Sequence, residues 1–110
     1  MRNTEEKDPA GKSAGDSGAK MDEGKIRIDL IFDGMPLALK AVAEVATFGA
    51  NKYSEGGWQH VPDGFKRYTA AMDRHRLECG EDPDSNILHD AHLAWNALAR
   101  LELKLRKNED

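Results

Sequence analysis

The sequence predicts an all-α fold, a small helical bundle that follows an extended N-terminal arm. Three stretches place apolar residues at helical spacing, and proline, glycine or a capping residue marks their ends. One short stretch alternates with period two, so a strand there would have no partner. Residues 1–24 combine few apolar side chains with many Gly, Ser and charged residues. We therefore expect a disordered arm over residues 1–24 and one helical domain over residues 25–110.

Charge, cysteine content and length narrow the class of protein. The 110 residues carry a net charge of −4 and one cysteine, Cys79. An acidic chain lacks the basic footprint of a protein that binds nucleic acid duplexes. A single cysteine fits a reducing compartment, and no apolar run is long enough for a membrane span. We expect a cytoplasmic protein without a membrane partner, and a homodimer or homotetramer, because a domain this small buries a thin core.

The first two predicted elements lead into the domain. Residues 25–30 alternate between charged and apolar side chains, which indicates an extended segment over residues 25–34. A first helix begins near Pro36, a favoured first-turn residue, and runs to about Ala50. Glu44 falls in the middle of its apolar stripe, which comprises Leu37, Ala41, Val45 and Phe48.

Two further helices are predicted after a glycine-rich loop over residues 54–64. The second runs from an N-cap at Asp63 to Cys79, with Gly80 as the C′ residue. A short acidic linker over residues 81–86 leads to the third helix, from about Ile87 to Arg106. One face of that helix carries Ile87, Ala91, Ala94, Leu98, Leu101 and Leu105, and the opposite face carries His89, His92, Asn96 and Leu103. Two such faces predict a helix packed on both sides.

Glu44 is a candidate for metal ligation or acid–base chemistry. An ionised carboxylate within an apolar stripe is costly unless it is paired or bound to metal. The alternative is a rim position, or an ion pair with a basic residue such as Arg74.

Acidic and histidine side chains gather around the third helix. Glu78, Glu81, Asp82 and Asp84 crowd one stretch, and His89 and His92 lie three residues apart on one helical face. A hard divalent cation would relieve the repulsion between these carboxylates, whereas the alternative is a solvated acidic loop beside ordinary interface histidines. A zinc site that uses Cys79 is disfavoured, because no Cys-x-x-Cys motif is present.

The ordered set of motifs resembles a known family. It comprises Asp22–Asp33, Ala43-Glu44-Val45-Ala46, Phe48-Gly49-Ala50-Asn51-Lys52-Tyr53, Trp58, Arg74-His75, Gly80-Glu81-Asp82, Asp84-Ser85 and His89-x-x-His92-x-x-x-Asn96. This order is similar to phage dATP/dGTP diphosphohydrolases, MazG-like members of the all-α nucleoside triphosphate pyrophosphatase superfamily. The superfamily carries Glu-x-x-Glu and Glu-x-x-Asp on successive helices. Here Glu78-x-x-Glu81 resembles the first motif, and His89-x-x-His92 stands in place of the second.

The resemblance implies hydrolysis of dGTP or dATP to the monophosphate and pyrophosphate in phage nucleotide-pool remodelling, within the host cytoplasm. It also implies Mg²⁺ or Mn²⁺ as cofactor. The expected catalytic residues are Glu44 and His75. The expected metal ligands are Glu44, Glu81, Asp84, His89 and His92. The expected substrate contacts are Lys25, Arg27, Lys52, Tyr53, Trp58 and Asn96.

Two other classes of function remain open. An HD-type metal phosphohydrolase would use His89-Asp90 and His75, but it lacks a well-placed distal aspartate. A non-enzymatic helical module would bind a protein partner through the second face of the third helix. Likewise, Trp58 could cover the core instead of stacking on a base, and the basic residues could be solvated.

Overall fold

A computed structural model describes residues 6–107, and the described chain is mainly helical, as predicted. Two compact units lie within residues 1–34 and 35–110. Residues 1–5 of the predicted arm and residues 108–110 of the predicted domain lie outside the described residues. Within the described chain no helix is long and apolar enough to cross a membrane. The elements are α1 (Asp29–Gly34), α2 (Pro36–Lys52), a 3₁₀ helix (Gly57–His60), α3 (Gly64–Arg76), β1 (Glu81–Asp82), β2 (Ile87–Leu88) and α4 (His89–Lys107).

The first unit contains a helix where the sequence predicts an extended segment. Residues 6–28 form turns, and α1 follows at Asp29. An isolated strand would leave its backbone polar groups unpaired, whereas a helical turn pairs them internally. Asp29 also suits the first turn, where a negative charge meets the positive end of the helix dipole. The prediction of extended structure is therefore wrong for residues 29–34.

The second unit is built on α4. Helices α3 and α2 both pack against α4, and α3 makes the more extensive contact. The buried apolar residues are small, namely Val45, Ala91 and Ala99, and no large side chain is fully buried among the described residues. Arg100 connects α4 to α3, because its Nε donates to Thr69 Oγ1 over 2.7 Å and its guanidinium covers the Phe65 ring. The core is thin, as the length of the chain predicts.

A small β-hairpin replaces the predicted end of the second helix and the acidic linker. Helix α3 ends at Arg76 instead of Cys79, so Gly80 is not its C′ residue. Gly80 instead adopts φ +73° in the connection to β1. Strands β1 and β2 pair antiparallel, with Glu81 opposite Leu88 and Asp82 opposite Ile87. The hairpin therefore takes the first two residues assigned to the third helix, and α4 begins at His89.

Helix α4 has one buried and one exposed face. Ala91, His92, Asn96 and Ala99 are buried, whereas Leu98, Leu101 and Leu105 are about half exposed. The face with the histidines thus packs inside the chain. The leucine face, defined here as Leu98, Leu101 and Leu105, is available to another molecule.

Candidate metal centre

A cluster of two histidines and one aspartate lies where the end of α3, the hairpin and the start of α4 meet. His75 comes from the last turn of α3, Asp82 from β1 and His92 from the first turns of α4. Each offers one ligand atom, and these atoms lie within 4.8 Å of one another. His92 is only 8% exposed, while His75 and Asp82 are half-buried. We call this set the His–Asp–His cluster.

Neighbouring side chains orient both imidazoles. The rings of His75 and His92 stack at 4.7 Å with an interplanar angle of 13°. His75 Nδ1 lies 2.8 Å from His89 Nδ1, and His92 Nε2 lies 2.6 Å from Ser85 Oγ. Each ring thus has one nitrogen next to a neighbouring side chain. In metal sites, this second hydrogen bond fixes the tautomer and the orientation of the ligand ring.

The hairpin turn holds Asp82 in place. Asp84 donates its backbone N–H to Asp82 Oδ1 over 2.9 Å, an Asx-type turn. The backbone N–H groups of Ser85 and Asn86 both donate to the Asp82 carbonyl. Asn86 adopts φ 60°, a left-handed conformation that asparagine tolerates well. Turn geometry thus positions the carboxylate of Asp82 and the hydroxyl of Ser85 together.

The electrostatics of the cluster keep its members in the forms that bind cations. Burial lowers the pKa of both His75 and His92, and the neighbouring imidazoles lower the pKa of His75 further. The hydrogen bond from the Asp84 N–H is the main cause that lowers the pKa of Asp82. Around neutral pH the histidines are neutral and the aspartate is ionised. These are the protonation states that a metal ion requires.

Helix α2 faces the cluster with a row of three residues. Phe48 contacts His92 edge-to-face at 6.3 Å, and one turn later Lys52 Nζ lies 2.6 Å from Asp84 Oδ2. This ion pair raises the pKa of Lys52. Glu44 lies one turn before Phe48, so it belongs to the same side of α2. The row brings an acid and a base to the edge of the site.

Glu44 is exposed, which corrects the prediction that it lies within a buried stripe. Val45, the next residue, takes the buried position of α2, and Leu37 from the same predicted stripe is 83% exposed. Because α2 packs mainly on α4, only a narrow part of its surface is covered. Burial therefore gives no reason for Glu44 to need a partner.

The structure separates the remaining predicted metal ligands. His89 contacts His75 and lies beside the cluster. Asp84 pairs with Lys52, and Glu81 is exposed on β1. Successive side chains on a strand point to opposite faces, so Glu81 points away from the side that Asp82 occupies.

The predicted substrate-contact residues occupy different surroundings. Tyr53 is 77% exposed, with Lys52 Nζ 5.3 Å from its ring centre. Trp58 packs edge-to-face on Trp95 and Tyr68, and Tyr68 donates its hydroxyl to the Trp58 carbonyl. Trp58 therefore belongs to the packing between the 3₁₀ helix, α3 and α4. Tyr68 precedes His75 by seven residues, which places this aromatic group about 10 Å along α3 from the cluster.

The last three predicted substrate contacts also have partners in the described chain. Buried Asn96 donates its side-chain amide to the His92 carbonyl over 2.8 Å, one turn below the cluster. In the first unit, Lys25 pairs with Glu6 and Arg27 pairs with Asp29. Both of these ion pairs are exposed, and exposed pairs contribute little and exchange readily.

Two residues of the site, Asp82 and Ser85, were not among the site residues predicted from the sequence. Asp82 lay within the acidic run, but Glu81 and Asp84 were chosen from it, and Ser85 was given no role. The available signal was the Asp-Pro-Asp-Ser-Asn run, whose residue types favour a turn. A hairpin turn there would place Asp82 on a strand, in which only alternate side chains share a face.

A cluster of neutral imidazoles and one carboxylate can bind a divalent cation and present it to a phosphate. A family model described as "dATP/dGTP diphosphohydrolase, N-terminal" matches residues 15–110. No curated protein and no solved structure matches the chain. The matched span includes α1, all of the second unit and every residue of the cluster. By this match, the chain belongs to the dATP/dGTP diphosphohydrolase N-terminal family.

Proposed function

We propose that this protein hydrolyses dATP or dGTP to the deoxynucleoside monophosphate and pyrophosphate, with Mg²⁺ or Mn²⁺ as the cofactor. The observation that carries the proposal is the His–Asp–His cluster within the span of the family match. The family description gives the substrate class, and the cluster supplies a place where a cation and a triphosphate can meet. The reaction would remove a deoxypurine triphosphate from the nucleotide pool and release its monophosphate. Such a change fits the phage nucleotide-pool role implied by the resemblance.

The reaction adds water across the α–β phosphate linkage. The oxygen of water bonds to phosphorus, the bridging P–O bond breaks, and one proton must leave the water. Divalent ions held at the cluster would neutralise charge on the triphosphate and lower the pKa of bound water. Glu44 is the candidate base, because it lies on the α2 row that faces the cluster. His75, the other expected base, cannot accept the proton while it holds an ion, since its second nitrogen pairs with His89.

The substrate contacts follow from position and charge. Lys52 is the basic residue at the rim of the site, and its exposed pair with Asp84 leaves it able to turn toward a phosphate. The exposed ring of Tyr53, the next residue, offers a face to a purine. Trp58 and Asn96 act by supporting the packing around the site, since both are engaged within it.

Product analysis tests the proposal. The full chain is incubated with dATP, dGTP, dCTP or dTTP in the presence of Mg²⁺ or Mn²⁺, and ³¹P NMR identifies the products. We expect monophosphate and pyrophosphate from the deoxypurine triphosphates. Nucleoside plus inorganic triphosphate would instead indicate the HD-type reaction, and diphosphate plus orthophosphate would exclude cleavage at the α–β linkage.

Asp90 provides a control for the HD-type alternative. It is exposed in the first turn of α4 and is not a member of the His–Asp–His cluster. The proposed reaction therefore predicts that Asp90→Asn keeps near wild-type turnover. A loss of turnover comparable to that of a ligand variant would favour the HD-type assignment.

A further inference from the structure

We infer that His75, Asp82 and His92 form a resident site for a transition-metal ion of the Mn²⁺ to Zn²⁺ series, and that this site discriminates against Mg²⁺. The inference deepens the proposed function and rests on it for the catalytic use of the ion. Binding itself is a property of the folded chain and can be measured without substrate. The set of His75, Asp82 and His92 differs from the ligand set expected from the sequence, which consisted mainly of carboxylates.

The donor set carries the choice of metal. Two imidazole nitrogens and one carboxylate oxygen suit the borderline ions Mn²⁺, Fe²⁺, Co²⁺ and Zn²⁺. Mg²⁺ prefers an octahedron of oxygen ligands and gives up water reluctantly, so two imidazoles are poor partners for it. Mg²⁺ is instead expected to arrive with the triphosphate. Asp84, which lies outside the cluster, offers oxygen ligands of the kind that Mg²⁺ prefers.

The distances are compatible with one ion. Ligands at about 2.0–2.2 Å from a metal lie roughly 3–4.4 Å from one another. The three ligand atoms already lie within 4.8 Å of one another. Because the rings of His75 and His92 stack with an interplanar angle of 13°, one imidazole must turn out of the stack before both rings can direct a nitrogen at the same ion. His75 and His92 come from helices that pack on each other, which limits how far their backbones can move apart.

The surroundings resemble the supporting shell of a metal site. His89 and Ser85 each hold one nitrogen of a cluster imidazole, and the Asp84 N–H holds one oxygen of Asp82. Each of the three residues therefore has a neighbouring group that orients its side chain. Cys79 is exposed and lies outside the cluster, so the site does not need a thiolate.

Cobalt titration of the full chain tests the site. After treatment with EDTA and its removal, Co²⁺ is added and its visible d–d absorption is followed. We expect saturation at one ion per chain, displacement by Zn²⁺, and no displacement by a large excess of Mg²⁺. Binding of Co²⁺ should also broaden the imidazole NMR signals of His75 and His92 and leave that of His60 sharp, because His60 is exposed at the end of the 3₁₀ helix.

Matched variants identify the ligands. Asp82→Asn and His75→Gln should each weaken Co²⁺ binding by about 100-fold or more, since loss of an outer-shell partner alone costs about 10–100-fold. The controls Asp73→Asn and His60→Gln remove an exposed aspartate and histidine and should bind Co²⁺ like the wild type. Unchanged binding in both ligand variants, equal competition by Mg²⁺, or broadening of His60 instead of His75 and His92 would overturn the inference.

The two proposals fail separately. A wild-type protein that binds Co²⁺ at the cluster but leaves every deoxynucleotide intact would overturn the proposed function and keep the metal site. A wild-type protein that hydrolyses dGTP with Mg²⁺ but binds no Co²⁺ at the cluster would keep the function and overturn the metal site.

Discussion

Glu44 is an exposed carboxylate on the row of α2 that faces the His–Asp–His cluster. Glu44→Gln keeps the size of the side chain and removes its charge. We expect turnover of dGTP or dATP to fall by on the order of 10²-fold, as for the loss of a general base. The melting temperature should stay unchanged, because no buried partner is lost. Steady-state kinetics and thermal unfolding measure the two effects.

Glu55→Gln is the control for this variant, because Glu55 is an exposed glutamate in the loop after α2. It should leave both turnover and melting temperature at wild-type values. Full activity in Glu44→Gln would exclude Glu44 from the reaction, and a large fall in melting temperature would indicate a structural partner.

The clustered histidines should make the metal-free protein sensitive to acid. The pKa values of His75 and His92 are lowered by burial, below the ordinary histidine value of about 6.5. Once the pH falls below that value, the unfolded chain binds protons that the folded chain does not bind. The free energy of unfolding therefore decreases. The contribution of the two neutral histidines to stability is fully present above a pH of about 6.5. It is lost as the pH falls toward their folded-state pKa values. The lowered pKa of Asp82 adds a loss in the same direction at lower pH.

Urea denaturation in EDTA at pH values of about 7.5 and about 5.5 measures this dependence on both sides of the histidine range. His75→Gln should show a shallower decrease than the wild type, because one of the two titrating groups is gone. His60→Gln, at an exposed position, should keep the wild-type slope. Equal slopes in all three proteins would contradict the assignment of the acid sensitivity to the cluster.

Among the elements, the hairpin depends on one residue with a positive φ. Asn86 adopts φ 60° in the turn that positions Asp82 and Ser85. A β-branched residue in the left-handed region costs about 1–2 kcal/mol, so Asn86→Val should destabilise the protein by that amount. Glycine adopts this conformation freely, so Asn86→Gly should change the free energy of unfolding by less than about 1 kcal/mol.

Chemical denaturation compares these two variants, and Asn51→Val serves as the control, because Asn51 is an exposed residue within α2. A stable Asn86→Val protein would show that the turn does not require the left-handed conformation. Co²⁺ binding by the same variant should weaken along with stability, since the turn holds two residues of the site.

The second unit leaves large apolar side chains exposed. The leucine face of α4 is about half exposed, and the largest buried apolar residue among those described is Val45. We therefore expect a homodimer or homotetramer that covers the leucine face. Introducing two charges with Leu98→Glu and Leu101→Glu should produce a monomer, because unpaired carboxylates cannot be buried cheaply.

Light scattering at micromolar concentration measures the mass of each protein. Leu77→Glu is the control, because Leu77 is 83% exposed in the connection after α3 and lies outside the leucine face. It should keep the oligomeric mass. A monomeric wild type, or a double variant with wild-type mass, would exclude the leucine face as the interface.

The sequence by itself determined the helical class, three of the helices and the histidine face of α4. These depend on the spacing of residues within one segment, and 3.6-residue periodicity is a local property. For the same reason the predicted start of α2 at Pro36 agrees with the structure. The expectation for residues 29–34 was wrong, because the alternation covers only residues 25–30 and ends where the helix begins.

Only the tertiary structure decided which acidic residue joins the histidines. In the sequence, residues 81–86 are only a charged linker. In the structure β1 pairs with β2, and this pairing turns Asp82 toward the histidines and Glu81 away. Likewise, the pairing of His75 with His89 and the exposure of Glu44 depend on how α2 and α3 pack on α4. Such choices depend on contacts between segments far apart in the chain, and no pattern within one segment contains them.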